Sequence, residues 1–128
     1  MAFPSVAGNA TSSRATNAFD DSVTLPASVA SGDLVIIFHF SEGATTRTVP
    51  SPWVEIFDSN STGGDGLYIA YLIASGGETS VTVTKVLDER FAAIAIRITA
   101  ASWHGTTPPE VSTGATGTSN VPNPGSVT

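Results

Sequence analysis

The middle of this chain alternates apolar and polar residues with a period of two. The stretch Ser80–Val86 alternates Val with Thr, and isoleucine recurs at every second position from Ile94 to Ile98. This period is typical of strands whose alternate side chains enter a core. The phase breaks at the end of the first stretch, which predicts a bulge or a strand end there. On this pattern Arg97 points outward, and the expected inward side chains are Val81, Val83, Val86, Phe91, Ile94, Ile96 and Ile98.

Further strands follow from short apolar runs between turn residues. Leu34–Phe40 is apolar at both parities, which predicts a central strand. Tight turns are expected at Ala30–Asp33 and Ser75–Glu78, and no window shows a helical stripe. The other expected strands are Ser22–Leu25, Trp53–Phe57 and Leu67–Ile73. About six to eight strands at this spacing predict an all-β fold, an antiparallel β-sandwich of jelly-roll or immunoglobulin-like type.

The two ends of the chain differ from the middle. Residues 1–18 are small and polar, which predicts an extended N-terminal arm or a first strand, and residues 19–105 would form the sandwich core. Residues 106–128 are rich in Pro, Gly and Thr and predict an extended C-terminal arm or strand. Pro4–Ser13 also matches Pro109–Thr118 without gaps. The match is either chance similarity between Ser-, Thr- and Gly-rich segments or a repeat. In a repeat, the C-terminal copy could pair with the sheet of its own chain or add a strand to a neighbouring subunit.

Hydroxyl side chains replace much of the usual charge. The chain has 128 residues, of which 17 are Thr and 16 are Ser, and only 12% are charged. Such side chains lose little entropy when a surface becomes ordered, which suits packing against neighbours. The net charge of −6 argues against nucleic acid and anionic membranes as partners. Without cysteine, disulfides and thiolate metal sites are excluded.

Metal binding has two candidate arrangements. His39 and His104 could hold a transition metal only with carboxylates such as Asp33 or Glu42, and a hydrogen-bonded strand histidine is the better interpretation of His39. The tip at residues 58–66 resembles a calcium loop, but its twelfth position is Ile69. A flexible hairpin is therefore expected, and no cofactor is predicted. Weak calcium binding could involve Asp58, Asn60 and Asp65.

The same residues give little support for catalysis. No Gly-x-Ser-x-Gly elbow occurs, and the carboxylates lie mostly at turns, so we expect no enzyme. Tyr68 and Tyr71 have opposite parity, which argues against a shared sugar-stacking platform, and Trp53 should cap the core. The predicted partner contacts are Trp103 after the last long strand, and Val111 and Val121 in the C-terminal segment.

The stretch from Ser22 to Thr118 resembles a family of phage and prophage virion-associated β-sandwich structural proteins. The similarity consists of turn and strand signatures and covers about three-quarters of the chain. It is carried by Val23–Pro26, Ser31–Val35, Pro52–Phe57, Leu67–Gly77, Ile94–Ile98 and Pro108–Thr118. The resemblance implies a non-enzymatic structural role in a tailed-phage virion, assembled in the host cytoplasm.

Capsid decoration is the role expected of such a small domain. The partners would be copies of the chain itself and the major capsid or tail protein, in a homo-oligomer or a larger assembly. A tail- or fibre-associated module, a carbohydrate-binding or adhesin domain, and a self-assembling filament subunit are the alternatives.

Overall fold

In the part of the chain that the structure describes, six β-strands form one antiparallel sheet. A computed structural model describes residues 4–43, 45–59, 64–103 and 105. The strands are hydrogen-bonded in the order β1-β6-β2-β5-β4, and β3 pairs with β6 off this path. A short 3₁₀ helix follows β6 at Ala100–Ser102. The strand bounds are β1 Val6–Thr24, β2 Leu34–Ser41, β3 Arg47–Thr48, β4 Val54–Asp58, β5 Gly66–Ile73 and β6 Ser80–Ile98.

A long ribbon formed by β1 and β6 organises the sheet. Both strands have 19 residues, and they pair with shifts in register between Arg14 and Asp20. One half of β6 pairs with β2 through residues 91–98, whereas the other half pairs with β3 at Thr84 and Lys85. The irregular pairing therefore marks a bend, since shifted register increases local twist.

The bend folds the ribbon over its own sheet. The amide of Thr24 donates to Oγ of Ser12 at 2.8 Å, although both belong to β1. Side chains from both halves of β6 join one hydrophobic cluster, because the bend returns the first half over β2 and β5. The buried members of this core cluster are Val23, Leu25, Val29, Val35, Ile37, Tyr68, Ala70, Leu72, Ala74, Val81, Val83, Phe91, Ala93 and Ala95.

The all-β, antiparallel class is confirmed. β2 has a hydrogen-bonded strand on each side, as expected of a central strand, and Phe91–Ile98 is strand. The expected strand at Ser22–Leu25 is instead the end of the long β1, which also covers most of residues 1–18. Sandwich topology stays a prediction, because the six described strands form one open hydrogen-bonded sheet. Residues 106–128 lie outside the described residues.

Two expectations about which side chains face the core were wrong. Lys85 is buried, whereas Val86 is 68% exposed, because β6 runs on beyond the expected phase break and keeps Lys85 on the face of Val83. Phe91 and Ile94 are three positions apart, so a regular strand cannot bury both on one face. The core takes the parity of Phe91, and its other members here are Ala93 and Ala95, with Arg97 partly buried on the same face.

Candidate functional site

A cluster of charged side chains lies inside the core. Asp21 of β1 is fully buried, and its Oδ2 lies 2.8 Å from Nζ of Lys85 and 2.7 Å from Nε2 of His39. Arg14 contacts the other carboxylate oxygen. The ring of Phe91 stacks on His39 with centroids 5.4 Å apart, and the Arg14 guanidinium lies over the Phe91 ring, 5.2 Å from its centroid. The cluster joins both strands of the bent ribbon to β2.

Electrostatics in this cluster favours the ionised carboxylate. Burial alone would raise the pKa of Asp21, but hydrogen bonds from His39 and Lys85, with the Lys85 charge, hold that pKa below its ordinary value. Nδ1 of His39 is buried and has no hydrogen-bond partner among the described residues. Because an ionised carboxylate can only accept, Nε2 of His39 donates the hydrogen bond to Asp21. The arrangement is therefore suited to holding strands together.

The other cations are paired as well. Arg47 is buried, and its Nη1 lies 2.6 Å from Asp58 while its Nη2 donates to Ser41 at 2.7 Å. Nε of Arg97 donates to Asp33 at 2.6 Å. Lys85 and Arg14 share Asp21, and Arg90 Nε lies 3.5 Å from Glu42. Every one of the five basic residues thus has a carboxylate partner within the chain.

The side chains predicted as metal ligands are held by different partners and do not form one site. Asp33 accepts from the amides of Ala30 and Ala100 as well as from Arg97, and it does not contact His39. Glu42 pairs with Arg90, and His104 lies outside the described residues. Within the described part of the chain, no group of three or more His, Cys, Asp or Glu side chains could hold a metal ion.

Two of the residues predicted to bind calcium, Asp58 and Asp65, have other partners. Asp58 is occupied by Arg47, both through the guanidinium and through the Arg47 amide at 3.1 Å. Asp65 has a partner, and Asn60 lies outside the described residues. Weak calcium binding by these three residues stays a prediction.

The aromatic candidates are distributed over the molecule. Trp103 is partly buried, and its Nε1 donates to the carbonyl of Gly32 at 3.0 Å, which ties the chain after β6 to a turn. Trp53 packs against the core cluster, as expected. Tyr68 faces the core, and Tyr71 pairs with Ile36 on the other face of the sheet. Val111 and Val121 lie outside the described residues, so their role as contacts stays a prediction.

A second feature is the sheet face opposite the core, here called the outer face. Directly paired residues of an antiparallel sheet point to the same side. Pairing therefore lines up apolar side chains across β6, β2, β5 and β4. The four rows are Ile94–Phe38–Ile69–Phe57, Ile96–Ile36–Tyr71–Val54, Ile98–Leu34–Ile73 and, toward one end, Ala92–Phe40–Leu67.

The outer face is apolar in its middle and polar at its margins. Phe40 is 46% exposed and Ile94 is 36% exposed, although both are large apolar side chains. The four rows contain no charged side chain. β1 supplies a polar margin through Asn9, Thr11 and Ser13, which pair with the outer-facing residues of β6. An apolar centre with a polar rim is the organisation of protein interfaces.

The sequence-based expectations missed both features, although each has a signal. Asp21 shares the parity of Val23, and Lys85 shares the parity of Val83, so both belong to the buried face of their strands. The outer face follows from the second parity of β6 and β2, where the isoleucines and Phe38 lie. Runs apolar at both parities indicate two covered faces.

Of the two faces of the sheet, only the one opposite the outer face packs against the core cluster.

No helix in the described part of the chain is long and apolar enough to cross a membrane. Comparison with protein-family models, with curated proteins and with solved structures gives no match.

Proposed function

We propose that this chain is a non-enzymatic structural subunit of a tailed-phage virion, acting as a capsid decoration protein that binds the particle surface and its own copies. The observation that carries the proposal is the outer face. A continuous set of apolar side chains across four strands lies opposite the core cluster; Phe40, Val54, Ile73 and Ile94 are exposed there, and Leu34 and Tyr71 are buried. Contiguous apolar patches of this kind mark interaction surfaces.

The distribution of charge supports a scaffolding role. Asp21, Lys85, Arg47 and His39 occupy the interior, where they cross-link strands through ion pairs and hydrogen bonds. All five cations are paired within the chain, and the net charge is −6, so the field around the molecule repels polyanions. This supports protein surfaces as partners and argues against nucleic acid or an anionic membrane.

The bent ribbon supports the sandwich part of the same proposal. Residues 20–24 and 80–85 lie over β2 and β5, and the core cluster fills the space between these two layers. A jelly-roll or immunoglobulin-like arrangement would result if residues 106–128 completed the sheet edge. The long β1, which is an edge of the sheet, offers unpaired backbone groups for such an addition or for a neighbouring subunit.

The proposal is tested on particles. Virions purified by density gradient from cells that carry the gene should contain the chain in many copies, measured by quantitative mass spectrometry. Separation of heads from tails should place it with the heads. Recovery with tails would favour the tail-associated alternative, and recovery only in the soluble fraction would overturn the virion role.

A further inference from the structure

We propose that the outer face binds a second copy of this chain, sheet against sheet, about a twofold axis that runs along the strands. The inference rests on the proposed function in taking copies of the chain as partners, and it assigns this surface to one of them. Two aligned sheets packed face to face enclose a core about 10 Å thick. The β-branched side chains of the outer face suit such packing, because they form a flat, stiff surface.

The size of the face suits a dimer. Three strands that contribute about seven residues each and the five-residue β4, at about 4.8 Å between strands and roughly 3.3 Å per residue, give a flat apolar area of roughly 400 Å². This lies within the range of about 300–600 Å² for the largest patch on a monomer, which is often functional. With the polar margin on β1 and the charged end of the sheet, the surface approaches the 800 Å² or so that each partner gives to a standard interface.

Charge at one end of the face sets the orientation. Arg90 and Glu42 lie just beyond the row of Ala92 and Phe40, and they are 57% and 52% exposed. Together with Phe40 and Asp65 they line an open depression of about 310 Å³. A twofold axis that runs along the strands, between β6 and β2, brings the two ends together, with Arg90 of one copy beside Glu42 of the other. The end of the face is therefore complementary to itself, whereas the chain as a whole is acidic.

A second copy explains the surface better than a charged or polar partner. The rows carry no charged side chain that could recognise an acidic or basic ligand. An isologous contact needs only that the surface match itself, and a flat apolar sheet with one balanced ion pair at its end meets that condition.

The test is light scattering on the purified full chain over a range of concentrations. We expect twice the 13.0 kDa mass of the chain at the upper concentrations. Ile94→Lys puts an ammonium in the middle of the face, and the dimer dissociation constant should rise about 30-fold or more. Val86→Lys is the matched control, because Val86 is more exposed than Ile94 but lies at the bend of the ribbon, and it should leave the dimer unchanged. Circular dichroism checks that both variants are folded, and Ile94→Thr provides a milder change at the same position.

The orientation has its own test. Arg90→Glu should weaken the dimer about threefold to tenfold, because four acidic side chains would then meet at one end. Combining it with Glu42→Arg should restore the dimer to within about threefold of the original. A pair of changes no better than the single one would overturn the axis along the strands.

A wild-type chain that is monomeric at every concentration would overturn the inference, as would dissociation by Val86→Lys and not by Ile94→Lys. Particle recovery reports on the virion role separately. A monomer that is recovered with particles contradicts only the dimer, and a dimer absent from particles contradicts only the virion role.

Discussion

Nζ of Lys85 lies 2.8 Å from Oδ2 of Asp21, and neither side chain is exposed to solvent. The pair connects the two strands of the bent ribbon, and His39 extends it to β2 at 2.7 Å. Removing two charges from water is costly, and the mutual attraction offsets that cost only while both partners and their hydrogen bonds remain. The ion pair therefore stabilises the bent ribbon only while both Asp21 and Lys85 are present.

Asp21→Asn should destabilise the fold by about 3–5 kcal/mol, because it leaves the ammonium of Lys85 buried without a counter-charge. Urea denaturation followed by circular dichroism measures the change. Asp20→Asn is the control, since Asp20 is the neighbouring carboxylate and is exposed, and its side chain accepts a hydrogen bond from the Thr84 hydroxyl. That variant should stay within about 1 kcal/mol of the wild type. Equal losses for the two variants would contradict a structural role for the buried cluster.

Acid should destabilise the protein through Asp33. Burial raises the pKa of Asp33, but hydrogen bonds from Ala30, Arg97 and Ala100 outweigh it and hold the pKa below the ordinary value of 3.8. The unfolded chain therefore binds protons more readily, so stability is fully present above pH 3.8 and falls as the pH drops toward the lower, folded pKa. Denaturant titrations from pH 5 to pH 2 should show this slope. Asp33→Asn should be less stable at neutral pH and should flatten the slope; an unchanged slope would assign the acid sensitivity elsewhere.

Alkali should act through Tyr68, which is 1% exposed in the core cluster. Burial, with the charges of Glu55 and Asp58, raises the pKa of Tyr68 from 10.0 to about 12. The stability linked to the neutral phenol is fully present below pH 10 and is lost as the pH rises toward 12, by about 2–3 kcal/mol. Denaturant titrations across this interval measure the loss. Tyr68→Phe should remove most of it, and a wild type equally stable at pH 9 and pH 12 would contradict the prediction.

The strands themselves could be predicted because their signals are local. Leu34–Phe40 is apolar at both parities, and it forms the strand that is bonded on both sides. The tight turn at Ser75–Glu78 also follows from its residues, since Gly76 and Gly77 adopt positive φ and Glu78 accepts from the Ser75 amide at 2.7 Å. Local rules of this kind do not depend on distant parts of the chain.

Two features could not be predicted from local sequence: which face of β6 is buried, and which charged side chains lie in the interior. Both depend on contacts between residues that are distant in sequence. Isoleucine buries more apolar surface than alanine, yet Ala93 and Ala95 face the core and the isoleucines of β6 face the other side of the sheet. Lys85 lies beside Asp21 because β1 pairs with β6, with Asp21 opposite Val83, and Asp21 and Lys85 are 64 positions apart in sequence. Neither the bend nor the ion pair can be derived from a single strand read alone, because both require knowledge of which strands pair.

The phase of β6 gives the last prediction, which compares two valines three positions apart. Val83 is fully buried in the core cluster, whereas Val86 is 68% exposed at the bend. Val83→Ala removes two buried methyl groups and leaves a cavity, so it should cost about 2 kcal/mol in the free energy of unfolding. Val86→Ala should change it by less than about 0.5 kcal/mol, because that side chain already contacts water. Urea denaturation of both variants in one buffer makes the comparison direct. The reverse order, with Val86→Ala as the costly change, would place the other phase of the strand in the core and require Lys85 to face solvent.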